Sequence, residues 1–229
     1  MQLLWKERVP VDKTKPLTIA VPKGRLQKPV MELLERAGVD CSELRNPSRK
    51  LIIPVPGTEW RFLLAKPADV PTYVEYGAAD LGVVGKDILL ESHKDVAELL
   101  DLGFGCCRLI VAVPESSGIR DIQDLDFNSR VATKFPRITT EFFSRQGIQA
   151  EVVHLNGSVE LGPIVGLADA IVDITETGTT LVENGLVPIG DIARVTSRLI
   201  ANRVSCKVKY HTIEGLVRRL REVLAESLD

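Results

Sequence analysis

The chain has 229 residues, 45% of them hydrophobic, enough for one large domain or two smaller lobes. Its 29 basic and 31 acidic residues leave a net charge of −2, which argues against nucleic acid as a partner, because nucleic-acid binders carry a basic excess. The opening MQLLWKERVPVDKTKP holds no long apolar run, so neither a signal peptide nor a membrane anchor is expected, and residues 1–16 read as an N-terminal extension.

Short β-rich runs alternate with helical patterns along the chain, which predicts α/β layers. Residues 17–21 predict a strand and 26–37 a helix closed by Gly38. Residues 51–55 and 60–65 predict a strand pair joined by Pro56-Gly57. A helix over 70–76, a buried strand over 81–84 and a helix opening at 86–91 follow. The strand at 108–113 is expected to carry the chain into a second lobe, where 131–133, 138–145, 151–154 and 170–173 predict strand, helix, strand and strand. Residues 187–192 then return it to the first lobe, and Leu199, Ile200, Val204 and Val208 predict a further apolar strand region. Ile213, Leu216, Val217, Leu220, Val223 and Leu224 fall on one face of a last helix. The expected division is thus a discontinuous domain I, 17–107 with 188–229, and a domain II over 108–187.

Cys41, Cys106, Cys107 and Cys206 lack metal-type spacing and are expected to be reduced, mostly buried thiols of a cytoplasmic protein. His93, His154 and His211 are scattered and receive no catalytic role, and no set of metal ligands is readable. There is no GxxxxGK[ST] loop and no GxSxG elbow, so neither a Walker-type nucleotide site nor a serine hydrolase is expected.

Four segments carry chemistry. Pro22-Lys23-Gly24-Arg25 joins the first strand to the first helix, and two cations with a glycine there suit either a polyphosphate or a solvated turn. Ser48-Arg49-Lys50 before an apolar strand reads, from the residues alone, as a surface turn. In Lys66-Pro-Ala-Asp69 and Asp80-Leu-Gly82-Val-Val-Gly85-Lys-Asp87, Asp69 fits a helix N-cap, while Gly82 and Gly85 fit tight turns. The fourth is the run ELGPIVGLADAIVDITETGTTL over 160–181. An apolar strand ends in Asp173, a loop of Thr175, Glu176, Thr177, Gly178, Thr179 and Thr180 follows, and a helical pattern begins. Backbone N–H groups at a helix start, hydroxyl donors and a glycine that lets backbone approach a ligand suit a phosphate. Asp173 would repel that phosphate, so sugar hydroxyls or a magnesium ion are its natural partners. From the residues alone, a strand, a Thr-rich turn and a capped helix without a ligand is an equal reading.

The spacing of the whole run separates the two. Glu160, Gly166, Ala168, Ile171, Asp173, Ile174, Thr177, Gly178, Thr180 and Leu181 fit the signature of the ATP phosphoribosyltransferases at every fixed position, and the chain resembles that family from residue 17 to about 208. The resemblance implies an α/β, two-lobed fold like the type II periplasmic binding proteins, with the active site in the cleft between lobes. It implies transfer of phosphoribosyl from phosphoribosyl pyrophosphate to N1 of the ATP adenine, with Mg2+, as the first step of histidine biosynthesis. The loop 173–180 would then bind phosphoribosyl pyrophosphate. Arg25 and Arg49 would act on the departing pyrophosphate, and Lys23, Gly24, Lys66, Asp69, Gly82, Gly85 and Lys134 would meet nucleotide or diphosphate, with Arg137 beside Lys134. Two positions depart from the pattern: Lys66 stands where relatives often have arginine, and Phe135 where tyrosine is common. The chain stops one helix beyond Tyr210, so it resembles the short form that works with a regulatory subunit related to histidyl-tRNA synthetase. Two alternatives are a non-catalytic two-lobed solute-binding protein and a phosphoribosyltransferase acting on a free base.

Overall fold

The computed structural model describes residues 15–46 and 49–226. Most of the expected N-terminal extension, and Ser48 of the second basic cluster, lie outside these residues. Contacts divide the chain into two compact units, one formed by the chain up to Gly105 together with the stretch from Ser197 onward, the other by Cys106–Thr196.

The first unit begins with β1 (Leu17–Pro22), whose six residues are all buried, apolar but for Thr18, as befits a strand with parallel neighbours on both sides. Helix α1 (Gln27–Arg36) buries Val30, Met31, Leu33 and Leu34, the one apolar stripe of an otherwise charged segment. The short α2 (Ser42–Arg45) leads to β2 (Ile52–Pro54) and β3 (Trp60–Ala65), which pair antiparallel around the expected turn. Then come α3 (Val70–Glu75), β4 (Leu81–Gly85), α4 (Lys86–Ser92) and β5 (Ala97–Asp101).

The second unit runs β6 (Cys107–Pro114), β7 (Arg130–Thr133), α5 (Pro136–Arg145), β8 (Glu151–His154), α6 (Leu161–Ile164), β9 (Ala170–Thr175), α7 (Thr179–Glu183) and β10 (Leu186–Val195). The chain re-enters the first unit as β11 (Ser197–Ala201), α8 (Arg203–Val208) and α9 (Tyr210–Ala225). Among the described residues the first sheet is ordered β2-β3-β1-β4-β11-β5 and the second β10-β6-β9-β7-β8, both mixed.

Three expectations need correction. Residues 187–192 do not return the chain to the first unit: they belong to β10, which pairs with β6 from Leu186 to Val195, so the crossing comes at Thr196 and Ser197 rather than at 187 and 188. Val204 and Val208 are not strand residues. They sit exposed on α8, a helix whose N-terminus is capped by Asn202, its side-chain oxygen accepting from the Val204 and Ser205 N–H groups. The cysteines are all reduced thiols, but only Cys41 and Cys107 are buried. Burial pushes the Cys41 thiol up to about 12, so it is inert at neutral pH.

The first unit is locked by Asp80, the residue before β4. Its buried carboxylate accepts from the Thr18 N–H (2.8 Å), the Ser205 hydroxyl (2.6 Å) and the Lys209 ammonium (2.8 Å), tying β1, α8 and the start of α9 to one point. Removing an acceptor with three buried or half-buried donors leaves them unsatisfied. Asp80→Ala is expected to cost on the order of 3 kcal/mol in urea unfolding. A loss within error of zero would show that water replaces the carboxylate.

Candidate active site

In the second sheet β9 lies between β6, antiparallel with Ile110 opposite Asp173, and β7, parallel with Thr133 opposite Val172. Ala170, Ile171 and Val172 are fully buried, which anchors the strand. Asp173 is the next residue, its side chain 16% exposed. The hydroxyl loop folds back on itself: the Gly178 N–H donates to Thr175 Oγ1 (2.9 Å), and the Thr177 and Thr179 hydroxyls share a hydrogen bond (2.9 Å). Gly178 has φ +81°, a left-handed turn that favours glycine, with open space where a Cβ would stand. Helix α7 has only five residues and no side-chain cap, so its dipole is weak and the donors the loop presents are its own hydroxyls and N–H groups.

Residues 173–181 enclose a cavity of about 160 Å³, joined by Glu160 and Ile110. All seven loop residues expected to hold phosphoribosyl pyrophosphate therefore share one space. Glu160 adds a carboxylate that had no assigned role, although it opens the signature run. Lys134, the residue after β7, does not line this cavity but pairs with Asp173, which does: its ammonium lies 3.2 Å from Asp173 Oδ1 and 5.1 Å from the Phe135 ring centre. Burial raises the Asp173 carboxyl above its ordinary range, while Lys134 and the Ile174 N–H oppose the rise. A carboxylate paired with an ammonium, beside a ring of hydroxyls, suits a polyol that carries phosphate.

The first unit gathers a second group. Lys23 and Arg49 line one cavity of about 320 Å³, together with Gln27, Arg45, Asn46 and Lys50. Arg45 is engaged by Glu35 in a two-pronged ion pair, and the cavity's other cations, Lys23, Arg49 and Lys50, are all exposed. Gly24 and Arg25 occupy the exposed turn between β1 and α1 and do not line this cavity.

Most of the other expected nucleotide residues gather at one end of the first sheet: Lys66 follows β3 beside Lys23, whose N–H donates to the Ala65 carbonyl (2.8 Å), and Gly85 ends β4, which is parallel to β1 like β3. Lys66 and Asp69 are exposed at either end of the turn before α3, and Asp69 makes no side-chain cap there. Gly82 is not a turn residue. It is buried inside β4, where a Cβ would stand 2.8 Å from both Val70 Cγ1 and Val74 Cγ2, so glycine lets α3 pack onto the sheet. Gly85 ends β4 and precedes α4. Arg137 pairs with Glu141 one turn along α5 (2.7 Å).

The family profile described as ATP phosphoribosyltransferase (HisG) matches residues 66–222. The chain belongs to the ATP phosphoribosyltransferase family. The ATP phosphoribosyltransferase of Syntrophotalea carbinolica is 51% identical over 211 residues, covering 92% of this chain and 96% of that one. That of Caldanaerobacter subterraneus subsp. tengcongensis is 52% identical over 208 residues, covering 91% and 97%. Among solved structures, a chain of the ATP phosphoribosyl transferase (HisG:HisZ) complex from Thermotoga maritima superposes with a TM-score of 0.79 at 35% identity, over 93% of this chain and all of that one. The periplasmic aliphatic sulphonate binding protein SsuA of Escherichia coli matches with a TM-score of 0.60 at 17% identity over 92% of this chain and 73% of that one, a likeness of fold alone. The ATP phosphoribosyltransferase fold of this chain is therefore the two-lobed, periplasmic-binding-protein-like α/β type.

Proposed function

We propose that the chain transfers the phosphoribosyl group of phosphoribosyl pyrophosphate to N1 of the ATP adenine, releasing pyrophosphate, as the first step of histidine biosynthesis. The observation that carries this reading is the single cavity formed by Asp173, the threonine loop and Glu160 in a chain of this family. In the reaction the C1–O bond breaks with its electron pair leaving on pyrophosphate, and the lone pair of adenine N1 forms the new C1–N bond. No covalent enzyme intermediate is required.

The residues take complementary roles. The hydroxyls and N–H groups of residues 175–180 hold the 5-phosphate, and Asp173 holds ribose hydroxyls, so that the anomeric carbon is presented in one orientation. Lys134 balances Asp173 and adds positive charge near the phosphate. Arg25 and Arg49, with Lys23, stabilise the charge that builds on pyrophosphate as it departs, where the planar fork of arginine meets two oxygens at once. Lys66, Asp69 and Gly85, next to Lys23 at the strand ends, meet nucleotide or diphosphate, whereas Gly82, buried against Val70 and Val74, serves the fold.

Magnesium fits as a companion of the substrate. Among the described residues no group of three or more His, Cys, Asp and Glu could hold a metal. The ion is commonly bound by substrate phosphates with one or two carboxylates, and Glu160 and Asp173 line the cavity as such donors. When bound it neutralises pyrophosphate charge.

The HisG:HisZ complex of Thermotoga maritima supports a heteromeric working form; the partner proposed for this chain is the regulatory subunit, related to histidyl-tRNA synthetase, that its resemblance to the short form implies. The cytoplasm, where both substrates are made, is its proposed place of action. Among the described residues no helix is long and apolar enough to cross a membrane.

The test mixes the purified chain with ATP, phosphoribosyl pyrophosphate and magnesium, with and without the regulatory subunit, and follows phosphoribosyl-ATP by mass. Free adenine and other bases replace ATP in parallel. Product with ATP alone is expected; product only with a free base, or none in either arrangement, would overturn the assignment.

A further inference from the structure

Thr133 is the last residue of β7, fully buried, and its hydroxyl is the meeting point of three hydrogen bonds. It donates to the Val172 carbonyl (2.8 Å), accepts from the Phe135 N–H (2.9 Å) and lies 3.3 Å from the Thr139 hydroxyl, which donates to it. Val172 is the residue before Asp173, and Phe135 is the residue after Lys134. One hydroxyl thus clamps the backbone on the far side of each partner in the Lys134–Asp173 pair.

The position explains why a side chain does this. At Thr133 the strand stops, and the chain turns into α5, which starts at Pro136 with no N–H to offer. The ladder between β7 and β9 therefore ends one residue short of Asp173, with Thr133 opposite Val172 as its last pair. Thr133 extends the connection by a side-chain bond, and the second bond sets the direction in which the Lys134 segment leaves the sheet. Nothing else in this network contacts the cavity: Thr133 and Thr139 are fully buried and do not line it.

We propose that Thr133 is a positioning residue for substrate binding: its hydroxyl fixes the separation of Lys134 from Asp173, and so the geometry with which the two meet a phosphoribosyl group. The proposal rests on the reading of residues 173–180 as the phosphoribosyl pyrophosphate site.

Titration calorimetry of the full chain with the magnesium salt of phosphoribosyl pyrophosphate tests it. Thr133→Val keeps shape and loses the hydroxyl, and is expected to raise Kd about tenfold, whereas Thr133→Ser stays within about threefold of the parent. In a Lys134→Met background the valine change should add less than about twofold, because the partner it positions is gone. Thr133→Cys, of similar size with a weak donor, carries the same comparison if the valine variant does not fold. An unchanged Kd for Thr133→Val beside a weakened Asp173→Asn would overturn the positioning role and leave the site assignment standing. Equal loss from Thr133→Val with and without Lys134 would also overturn it. Unchanged binding in both Thr133→Val and Asp173→Asn would instead remove the site reading itself.

Discussion

Replacing Arg49 with alanine lowers kcat about a hundredfold while the protein melts at its usual temperature, because a positioned donor to developing charge is typically worth about 3 kcal/mol in the transition state. The fold is untouched because Arg49 is exposed at the rim of a cavity and belongs to no core cluster. The loss falls on kcat, since pyrophosphate gains negative charge only as the C1–O bond opens, so the contact strengthens after binding. Arg49→Lys separates charge from shape: a point charge keeps the attraction but not the paired contact with two oxygens, and recovers only part of the rate. Steady-state kinetics on both variants decide the matter. A parental kcat in Arg49→Ala takes this residue out of the mechanism.

Asp173→Asn produces two changes of opposite sign. Affinity for phosphoribosyl pyrophosphate falls about a hundredfold, as charge-assisted hydrogen bonds to sugar hydroxyls are lost. Yet the free protein becomes more stable at neutral pH. Burial holds this carboxyl above its ordinary value of 3.8, with Glu160 adding to the rise and Lys134 opposing it. An acid raised on folding helps the fold only while protonated. That help is complete below 3.8 and is lost as pH climbs through the raised folded value, so at pH 7 the ionised group is a burden. Asparagine removes it, and Lys134, a third exposed, is left to water. Melting curves should therefore show the variant above the parent at pH 7 and level with it at pH 3. Equal affinity by calorimetry would refute the ribose role; a lower melting point at pH 7 would mean that Lys134 outweighs burial.

The sequence made most elements legible because each carries its own period. The mostly apolar run of β1 and the stripe of α9 admit one reading each. The extent of β10 was hidden by its irregularity. Its pairing with β6 slips between Pro188 and Gly190 and again between Asp191 and Ala193, and a proline with a glycine inside a run normally marks a strand's end. Helix α8 was masked by two exposed valines that look like strand residues; Asn202, followed by the segment it caps, was the signal that could have found it. In the site, the threonine loop was legible from its spacing. Gly82 could not be interpreted so directly, since a glycine that admits a helix onto a sheet and one that admits a ligand look alike in sequence. Thr133 was invisible for a similar reason: its role depends on a strand paired with it from 39 residues away.

The order of the two units along the chain has a consequence for synthesis. Everything the second unit needs, from β6 to β10, leaves the ribosome in one stretch, so it can close its sheet as soon as β10 has emerged. The first unit starts earlier and finishes last. Until β11 arrives, one edge of β4 has no partner, and until α9 arrives the core around α1 and β1 lacks Ile213, Leu216, Val217 and Leu220. The nascent amino-terminal half must therefore wait, open-edged, while the inserted unit is made, and it is this waiting half that a chaperone would be expected to shield.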